Sequence, residues 1–478
     1  MKFSLSIIVV STFILSTTVK ASTLIDPFLN NVRLSALEAK IIEIDKNSSL
    51  LKNTLELASF DIDTDINASF ERDDSAAFNI NSASRNDTYT FGTSVSKLWR
   101  SGFKTQFNYE VKDQYFEYPT FTDLSYLYPT TSISVTTNVF QDLFGRRYKY
   151  QAQKISQNEK VIEQNSNNQL RSLLATALLR LAEVLEIQDD LKLQKRLCTQ
   201  VENQTTQLKE KNKRGSIPKR EYLLSLKEQN TCQATVKAEE KKRLEKINAF
   251  EAKFNVKVAP YLLVNIKDAF MEISSIYTKY TGQAKEVSFD DNPDIKEISQ
   301  RISAMENNVQ ELRTQTKLDI DLTLKVGSSG VEDNFGKANE QAFKGENPFI
   351  YAGLTLNLPS TNRTERVNHT SKLLDLESLR KRKDLAWAQK VSSFQTLKES
   401  LMKDYEIYKD YERNVALSES ILKEARRDFN NGRIDFFAYM EFQKGLIQSR
   451  QRLGELRTQI IINTVEFFDY FNFFSKFY

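Results

Sequence analysis

The chain has 478 residues, of which 40% are hydrophobic and 27% charged, the composition of a folded protein. Its 13 glycines and 8 prolines are few for this length, so most residues must lie in long uninterrupted helices. The 67 Lys and Arg residues nearly balance 63 Asp and Glu, which argues against a nucleic-acid-binding protein because that class needs a concentrated basic surface. One histidine and two cysteines exclude most histidine-based catalysis and any Cys/His zinc module. We expect no cofactor and no metal, although a site built only of carboxylates stays open.

Residues 1–21 are typical of a secretory signal peptide. The basic residue Lys2 precedes an apolar stretch from Leu5 to Leu15, and Val19-Lys20-Ala21 supplies a small-residue cleavage site. The alternative is a membrane anchor, but the apolar stretch is too short to span a bilayer. We therefore expect export of the mature chain, which begins with a predicted N-terminal helix over 22–60.

Six short segments alternate apolar and polar residues with a period of two, as strands with one wet face do. Four of them fall in 61–145, where an extra hairpin at 88–112 turns at Arg100-Ser101-Gly102, and two form a predicted hairpin over 319–360. Strands of about ten residues or fewer that are apolar on one side suit the wall of a transmembrane β-barrel. An ordinary soluble sheet packed on a core is the alternative.

Two long stretches, 147–213 and 363–429, contain neither proline nor glycine. A helix of that length extends about 100 Å, far beyond a globular helix. The first stretch ends at Arg214-Gly215-Ser216, where Gly215 can adopt a left-handed cap and Ser216 can cap the returning helix. The second ends in the same way around Gly432. We therefore predict two long helical hairpins, over 146–286 and 361–478, with a separate helix over 287–318.

The two halves of the chain repeat the same order of elements. Arg146 and Gly215 are as far apart in sequence as Arg363 and Gly432, so one offset superimposes both the strand-to-helix junction and the hairpin tip. We interpret this agreement as an internal two-fold repeat, with chance agreement of two landmarks as the alternative. Each half then consists of a helix, strands, a very long helix, a tip and a return helix.

This layout resembles the TolC-like outer-membrane efflux proteins, also called outer membrane factors. Thr355-Leu356-Asn357-Leu358-Pro359 followed by Asn362-Arg363 is similar to the strand-to-helix junction of the family, and Val139 to Arg146 is similar to its first-half counterpart. The resemblance covers nearly all of the mature chain. It implies a mainly α fold with a β-barrel portion: three chains form an α-barrel of antiparallel hairpins that continues into a transmembrane β-barrel. A protomer of the family contributes four strands, so the extra hairpin either enlarges the barrel or lies outside it.

The resemblance also implies a function. It predicts a passive exit duct of a tripartite efflux or type I secretion system, located in the outer membrane and extending into the periplasm. Its implied partners are two further copies of the chain, a periplasmic membrane-fusion adaptor, an inner-membrane pump and outer-membrane lipid. No nucleophile and base pair, phosphate loop or cofactor fingerprint points to an enzyme. The alternative is a secreted or surface coiled-coil protein, such as an adhesin, with a soluble β domain.

By the same resemblance the duct closes at the periplasmic helix tips. Glu441 matches an inner acidic ring and Glu221 the acidic member of a closing network, whereas Phe429 and Ile434 stand where a tyrosine and an arginine complete that network. Phe436 and its neighbours can close the pore by apolar contact instead. Solvated carboxylates and packing between helices are the alternative roles. The residues expected to dock the adaptor are the two tip turns, Arg214, Gly215, Ser216 and Ile217, and Asn431, Gly432, Arg433 and Ile434.

The two cysteines permit a sharper inference from spacing alone. Cys198 and Cys232 lie equally far before and after Gly215, so an antiparallel hairpin folded at that glycine places them level. The predicted signal peptide directs the chain to an oxidising compartment. We therefore predict a Cys198–Cys232 disulfide, with two unpaired packing cysteines as the alternative because facing sides are not guaranteed by level positions.

Overall fold

The structure is a computed structural model that describes residues 25–74, 83, 85–118, 122, 124–282, 289–357 and 363–477. The predicted signal peptide and the junction residues Leu358, Pro359 and Asn362 lie outside the described residues. The described helices are α1 (Ile25–Ser35), α2 (Leu37–Thr54), α3 (Arg146–Lys213), α4 (Lys219–Phe254), α5 (Ile266–Gly282), α6 (Pro293–Gln315), α7 (Phe335–Lys344), α8 (Arg363–Asn430) and α9 (Phe436–Tyr470). The described strands are β1 (Ile62–Asp73), β2 (Arg85–Leu98), β3 (Phe103–Glu117), β4 (Leu124–Asn138), β5 (Asp319–Ser329) and β6 (Asn347–Asn357).

These residues divide into two compact units. A helical unit holds residues up to 42, 168–292 and 390 onward, and a sheet unit holds residues 43–167 and 293–389. Short 3-10 helices follow α2 and α9, at Leu55–Phe60 and Phe473–Phe477.

The long helices predicted from the two proline-free and glycine-free stretches are present as unbroken helices. α3 and α8 each contain 68 residues, and the same sequence offset relates both of their ends. Polar residues dominate both helices, so intrinsic propensity alone does not explain their stability and lateral packing must supply it. No helix in the described part of the chain combines the length and the apolar character needed to cross a membrane.

The helical unit is built around one large apolar core. Residues from α1, the middle of α3, the end of α4, α5, α9 and the C-terminal 3-10 helix contribute to it. The most deeply buried large side chains include Phe28, Leu174, Phe254, Phe468 and Phe474. Burying a large apolar side chain is worth about 1.5–3 kcal/mol, so this cluster anchors the polar helices that leave it.

The sheet unit contains a six-stranded antiparallel sheet in the order β1-β2-β3-β4-β5-β6. β2 and β3 are the extra hairpin seen in the sequence, and they lie between β1 and β4 rather than outside the sheet. The hairpin turns at the predicted position: the Gly102 N–H donates to the Trp99 carbonyl at 2.9 Å, and Gly102 has a φ of 82°. Glycine adopts this left-handed conformation without the steric cost that a side chain adds.

The two faces of the sheet differ sharply in polarity. Along one face Val95, Phe107, Ile133, Val326 and Ile350 stand directly opposite one another on neighbouring strands. All five side chains are exposed, and Ile350 reaches 81%. The opposite face carries polar residues at the intervening positions, and these are Asp63, Asp65, Ser94, Ser134 and Lys325 among others. The sheet therefore presents its apolar face, and not only its polar one, at the surface of the chain.

A helix absent from the sequence prediction interrupts the second hairpin. α7 connects β5 to β6 and packs on the apolar face of the sheet, because Tyr109 donates its hydroxyl to Asn339 Oδ1 at 2.6 Å and Thr131 donates to the Ala342 carbonyl at 3.2 Å. Its start and end had readable signals. The Asn334 side chain accepts from the first backbone N–H groups, and Gly345 ends the helix with a φ of 74°. The alternation of polar and apolar residues does not reveal α7, so a prediction based on alternation alone misses it.

The contact between α7 and the sheet yields a prediction. A Cβ atom at Gly330 would lie 1.9 Å from the backbone oxygen of Ala338, so Gly330→Ala must push α7 away. Overpacking of this kind costs about 1–3 kcal/mol, which corresponds to opening of α7 about 5- to 140-fold more often. Trypsin cleavage after Lys337 and Lys344 should accelerate by that factor. Gly454→Ala, where the added Cβ meets no atom within 4 Å, should leave the rate unchanged, and equal rates for both variants would contradict the packing described.

Candidate functional site at the helix tips

The first helix tip is closed by backbone hydrogen bonds around Gly215. The Gly215 N–H donates to the Asn212 carbonyl at 3.0 Å, and the Ser216 N–H donates to the Lys211 carbonyl at 2.9 Å. Gly215 has a φ of 71°, the left-handed conformation that ends helices with this bonding pattern. These bonds satisfy carbonyl groups that the end of α3 would otherwise leave unpaired.

The second tip has the same geometry around Gly432. The Gly432 N–H donates to the Phe429 carbonyl at 3.1 Å, the Arg433 N–H donates to the Asp428 carbonyl at 2.9 Å, and the φ of Gly432 is 72°. Asp435 then caps α9, because its Oδ1 atom accepts from the Ala438 N–H at 2.8 Å. The two tips therefore reverse the chain by one and the same backbone device.

The start of α4 differs from the sequence expectation. Pro218 is the residue that precedes α4, with φ −60° and ψ 140°, and no side chain caps the helix. The expectation that Ser216 caps α4 is therefore wrong. Ser216 lies two residues before the N-cap position of α4, and the fixed φ of proline leads directly into the first helical turn.

A small apolar cluster ties the two tips to each other, and we call it the tip cluster. It consists of Val201 and Leu208 from α3 and Phe436 and Met440 from α9. Phe436 is only 2% exposed. Phe429, at the end of α8, packs on the cluster and stacks on Tyr439 with 5.1 Å between ring centroids.

Polar contacts reinforce this attachment of α9 to the first hairpin. Gln443 Nε2 donates to Gln200 Oε1 at 3.2 Å and to the Tyr439 hydroxyl oxygen at 3.0 Å. Lys444 forms an ion pair with Glu228 of α4 at 3.3 Å. The sequence analysis missed Met440, Gln443 and Lys444. The spacing of Phe436, Met440 and Gln443 on one helical face was the signal that could have revealed them.

The acidic residues expected at the constriction occupy different environments. The side chain of Glu441 is 75% exposed, and its nearest cation is Lys444 at 4.0 Å on the following turn. Glu221 lies half-buried in the first turn of α4, as does Ile434 just before α9. No hydrogen bond or ion pair joins Glu441 to Glu221 among the residues that the structure describes. Arg214 and Asn431 are exposed at the tips, and Arg433 pairs with Asp428 at 3.4 Å.

The first hairpin carries a covalent link between its two helices. Cys198 and Cys232 are joined by a disulfide with their Cα atoms 5.5 Å apart. Closer to the tip, Thr205 donates its hydroxyl to the Ser225 carbonyl at 3.2 Å. Both links join positions at equal distances from Gly215, so α3 and α4 run side by side in the register set by that turn.

Half-buried carboxyl groups of α3, Glu186 and Asp190, lie near carboxylates of α4 and α9 in the helical unit. Burial and the neighbouring carboxylates Glu186, Glu239 and Glu455 raise the pKa of Asp190 to about 6, while Lys242 acts in the opposite direction. Burial likewise raises the pKa of Glu186. Within the ranges that the structure describes, no group of His, Cys, Asp and Glu side chains is arranged to hold a metal ion.

Solved structures resemble this chain over almost its whole length. A membrane protein from Pseudomonas aeruginosa superimposes with a TM-score of 0.67 at 14% identity, covering 93% of this chain and 89% of that one. The outer membrane protein VceC of Vibrio cholerae gives 0.65 at 11% identity over 93% and 95% of the two chains. The CmeC outer membrane channel of Campylobacter jejuni gives 0.65 at 11% identity over 94% and 85%. No family model and no curated protein sequence matches the chain.

The chain therefore has the fold of outer-membrane channel proteins. The resemblance to TolC-like proteins, drawn from the junctions and tips of the sequence, is confirmed as a likeness of fold. At identities of 9–14% the comparison speaks for the architecture alone.

The disulfide gives a chemical prediction. Protein unfolded without reductant should show no reactive thiol, and two after reduction. Because the link closes a loop with a sequence separation of 34, the double variant Cys198→Ser, Cys232→Ser should lose about 3–4 kcal/mol of hairpin stability in the loop-entropy model, seen as faster amide hydrogen exchange in α3 and α4. Two reactive thiols before reduction would contradict the bond.

The raised pKa of Asp190 gives a pH prediction. The folded chain holds this proton up to about pH 6, whereas the unfolded chain releases it near the ordinary value of 3.8. The folded state therefore binds more protons in that window, and stability falls as pH rises from about 4 to about 6. Asp190→Asn should remove this part of the fall in thermal unfolding midpoint, while Asp410→Asn, at an exposed ion pair, should keep the wild-type profile. Parallel profiles for wild type and Asp190→Asn would refute the assignment.

Proposed function

We propose that this chain forms a passive exit duct through the outer membrane, as one of three identical copies. The observation that carries the proposal is the exposed apolar face of the sheet unit. Water-facing apolar patches of that extent are rare in monomeric soluble proteins, whereas a sheet that is apolar outside and polar inside suits a wall between lipid and a wet lumen. The same fold in the outer membrane channel CmeC supports this reading.

The long helices fit the periplasmic part of such a duct. α3, α4, α8 and α9 are too polar to be stable alone, and packing side by side into a closed cylinder buries one stripe of each helix while leaving a wet lumen. Three copies related by cyclic symmetry close this α-barrel without an open edge, and the sheets continue it as a transmembrane β-barrel. A periplasmic adaptor docks at the two tip turns, and an inner-membrane pump supplies the energy.

The tips serve as the constriction, where the resting lumen narrows so far that only small ions pass. Glu441 is an exposed carboxylate near the tips and lines the lumen as a ring of three, with Glu221 and Ile434 as further residues of the constriction. Phe429 and Phe436 act differently, since they pack inside one chain and hold α9 against α3. Widening the lumen then requires α9 to leave the tip cluster and to break the contacts of Gln443 and Lys444.

The alternative function, a secreted coiled-coil adhesin with a soluble β domain, predicts that the apolar face of the sheet is covered. A soluble domain covers its apolar face with its own residues. In the described part of the sheet unit α7 covers only a part of that face, and Ile133, Val326 and Ile350 stay exposed. A lipid-facing role accounts for them better.

The proposal predicts ion channels. Detergent-extracted protein should conduct ions in a planar bilayer, and Glu441→Gln should lower the preference for cations, measured as a smaller reversal potential under a salt gradient, because a ring of charge at a constriction sets selectivity. Glu424→Gln, a paired and exposed carboxylate on α8, should leave the reversal potential unchanged. An adhesin would be extracted without detergent and would give no channels, and that result would end the proposal.

A further inference from the structure

We infer that three copies of the six-stranded sheet close into a wall of eighteen strands, so that the outer end of the duct is wider than a wall of four strands per chain allows. The inference rests on the proposed function and concerns what the outer end admits. It assigns the two edge strands of the sheet, β1 and β6, as the surfaces through which neighbouring copies pair.

The β2-β3 hairpin is part of the wall and does not project from it. β1 pairs with β2 without interruption from Ile62 opposite Lys97 to Asp73 opposite Asn86. β3 pairs with β4 over a similar length, from Phe103 opposite Thr137 to Phe116 opposite Leu124. A hairpin that left the wall would keep pairing between its own strands and lose the outer pairing to β1 and β4.

The apolar face also continues across the hairpin. Phe91 and Val95 on β2 and Phe107 on β3 are exposed on the same face as Ile133 and Val326. On β1 the exposed side chains Ile62, Ile66 and Phe70 extend this face to the edge. A hairpin in water gains nothing from an apolar face aligned with its neighbours, whereas lipid contact requires it.

The two edges suit each other. β1 has 12 residues and β6 has 11, and β1 is exposed along its whole length. Because all strands alternate in direction and their number is even, β1 of one copy is antiparallel to β6 of the next. A long edge without pairing is a liability that proteins avoid, and mutual pairing satisfies both edges in each of three copies.

The helix α7, which connects two strands of the wall, does not lie on its lumen side. α7 packs on the apolar face, through Tyr109 and Thr131, and so lies outside the lumen. The diameter of a closed sheet grows roughly in proportion to its strand number, so eighteen strands give a lumen about half again as wide as twelve. Among the described residues, α7 therefore does not restrict the passage of bulky polar solutes or unfolded polypeptide chains at the outer end.

Polymer exclusion in planar bilayers tests this width from each side separately. Neutral polyethylene glycols of increasing size are added to the outer or to the tip side, and the largest one that still lowers the conductance defines the entrance. The test variant lacks residues 85–117, which leaves β1 and β4 as antiparallel neighbours and four strands per chain. Its outer cut-off diameter should fall by about a third, while its tip-side cut-off should equal that of the full chain.

The possible outcomes distinguish a failure of the eighteen-stranded wall from a failure of the proposed function. An outer cut-off that is the same in the full chain and in the deletion variant overturns the eighteen-stranded wall, although the duct itself stands. The absence of channels from the full chain refutes the proposed function instead. If the deletion variant does not insert, electron cryo-microscopy of the detergent-solubilised full chain decides, since eighteen strands support the inference and twelve overturn it.

Discussion

An apolar sheet face that the described residues cover only in part is the constraint on which the rest of this structure depends. Side chains such as Ile133, Val326 and Ile350 lie at the surface, and the hydrophobic effect disfavours that in water. The polar residues of the opposite face, Asp63 and Lys325 among them, exclude burial of that side in an apolar core. Surroundings that are apolar on one side and aqueous on the other satisfy both faces at once.

The helical unit holds long polar helices in fixed positions. It does so with three kinds of contact: the aromatic core around Phe468 and Phe474, the tip cluster around Phe436, and the link between Cys198 and Cys232. These contacts lie at different levels along α3, so the helix is fixed in several places rather than at one end. The identical bonding of Gly215 and Gly432 then sets where each hairpin reverses.

The sequence predicted the elements whose signal is local. The absence of proline and glycine indicated α3 and α8, alternation indicated the strands, and the spacing around Gly215 predicted the level of the cysteines. What it could not predict depends on contacts between distant segments. Whether β2 and β3 join the sheet is decided by pairing with β1 and β4, and the burial of Phe436 is decided by Val201 and Leu208 of another helix. The helix α7 was missed although Asn334 and Gly345 marked its ends.

The two ends of the described chain meet in one place. Lys476 forms an ion pair with Asp26 at 2.7 Å across a sequence separation of 450 residues, and Phe474 and Phe477 share the apolar core with Ile25 and Phe28. This core lacks part of its packing until Phe473, Phe474 and Phe477 have been synthesised. Closing so long a loop is slow and exposes apolar surface meanwhile. The helical unit is therefore completed only after the chain has been made as far as Phe477, and until then the partners of these C-terminal residues in α1 expose apolar surface.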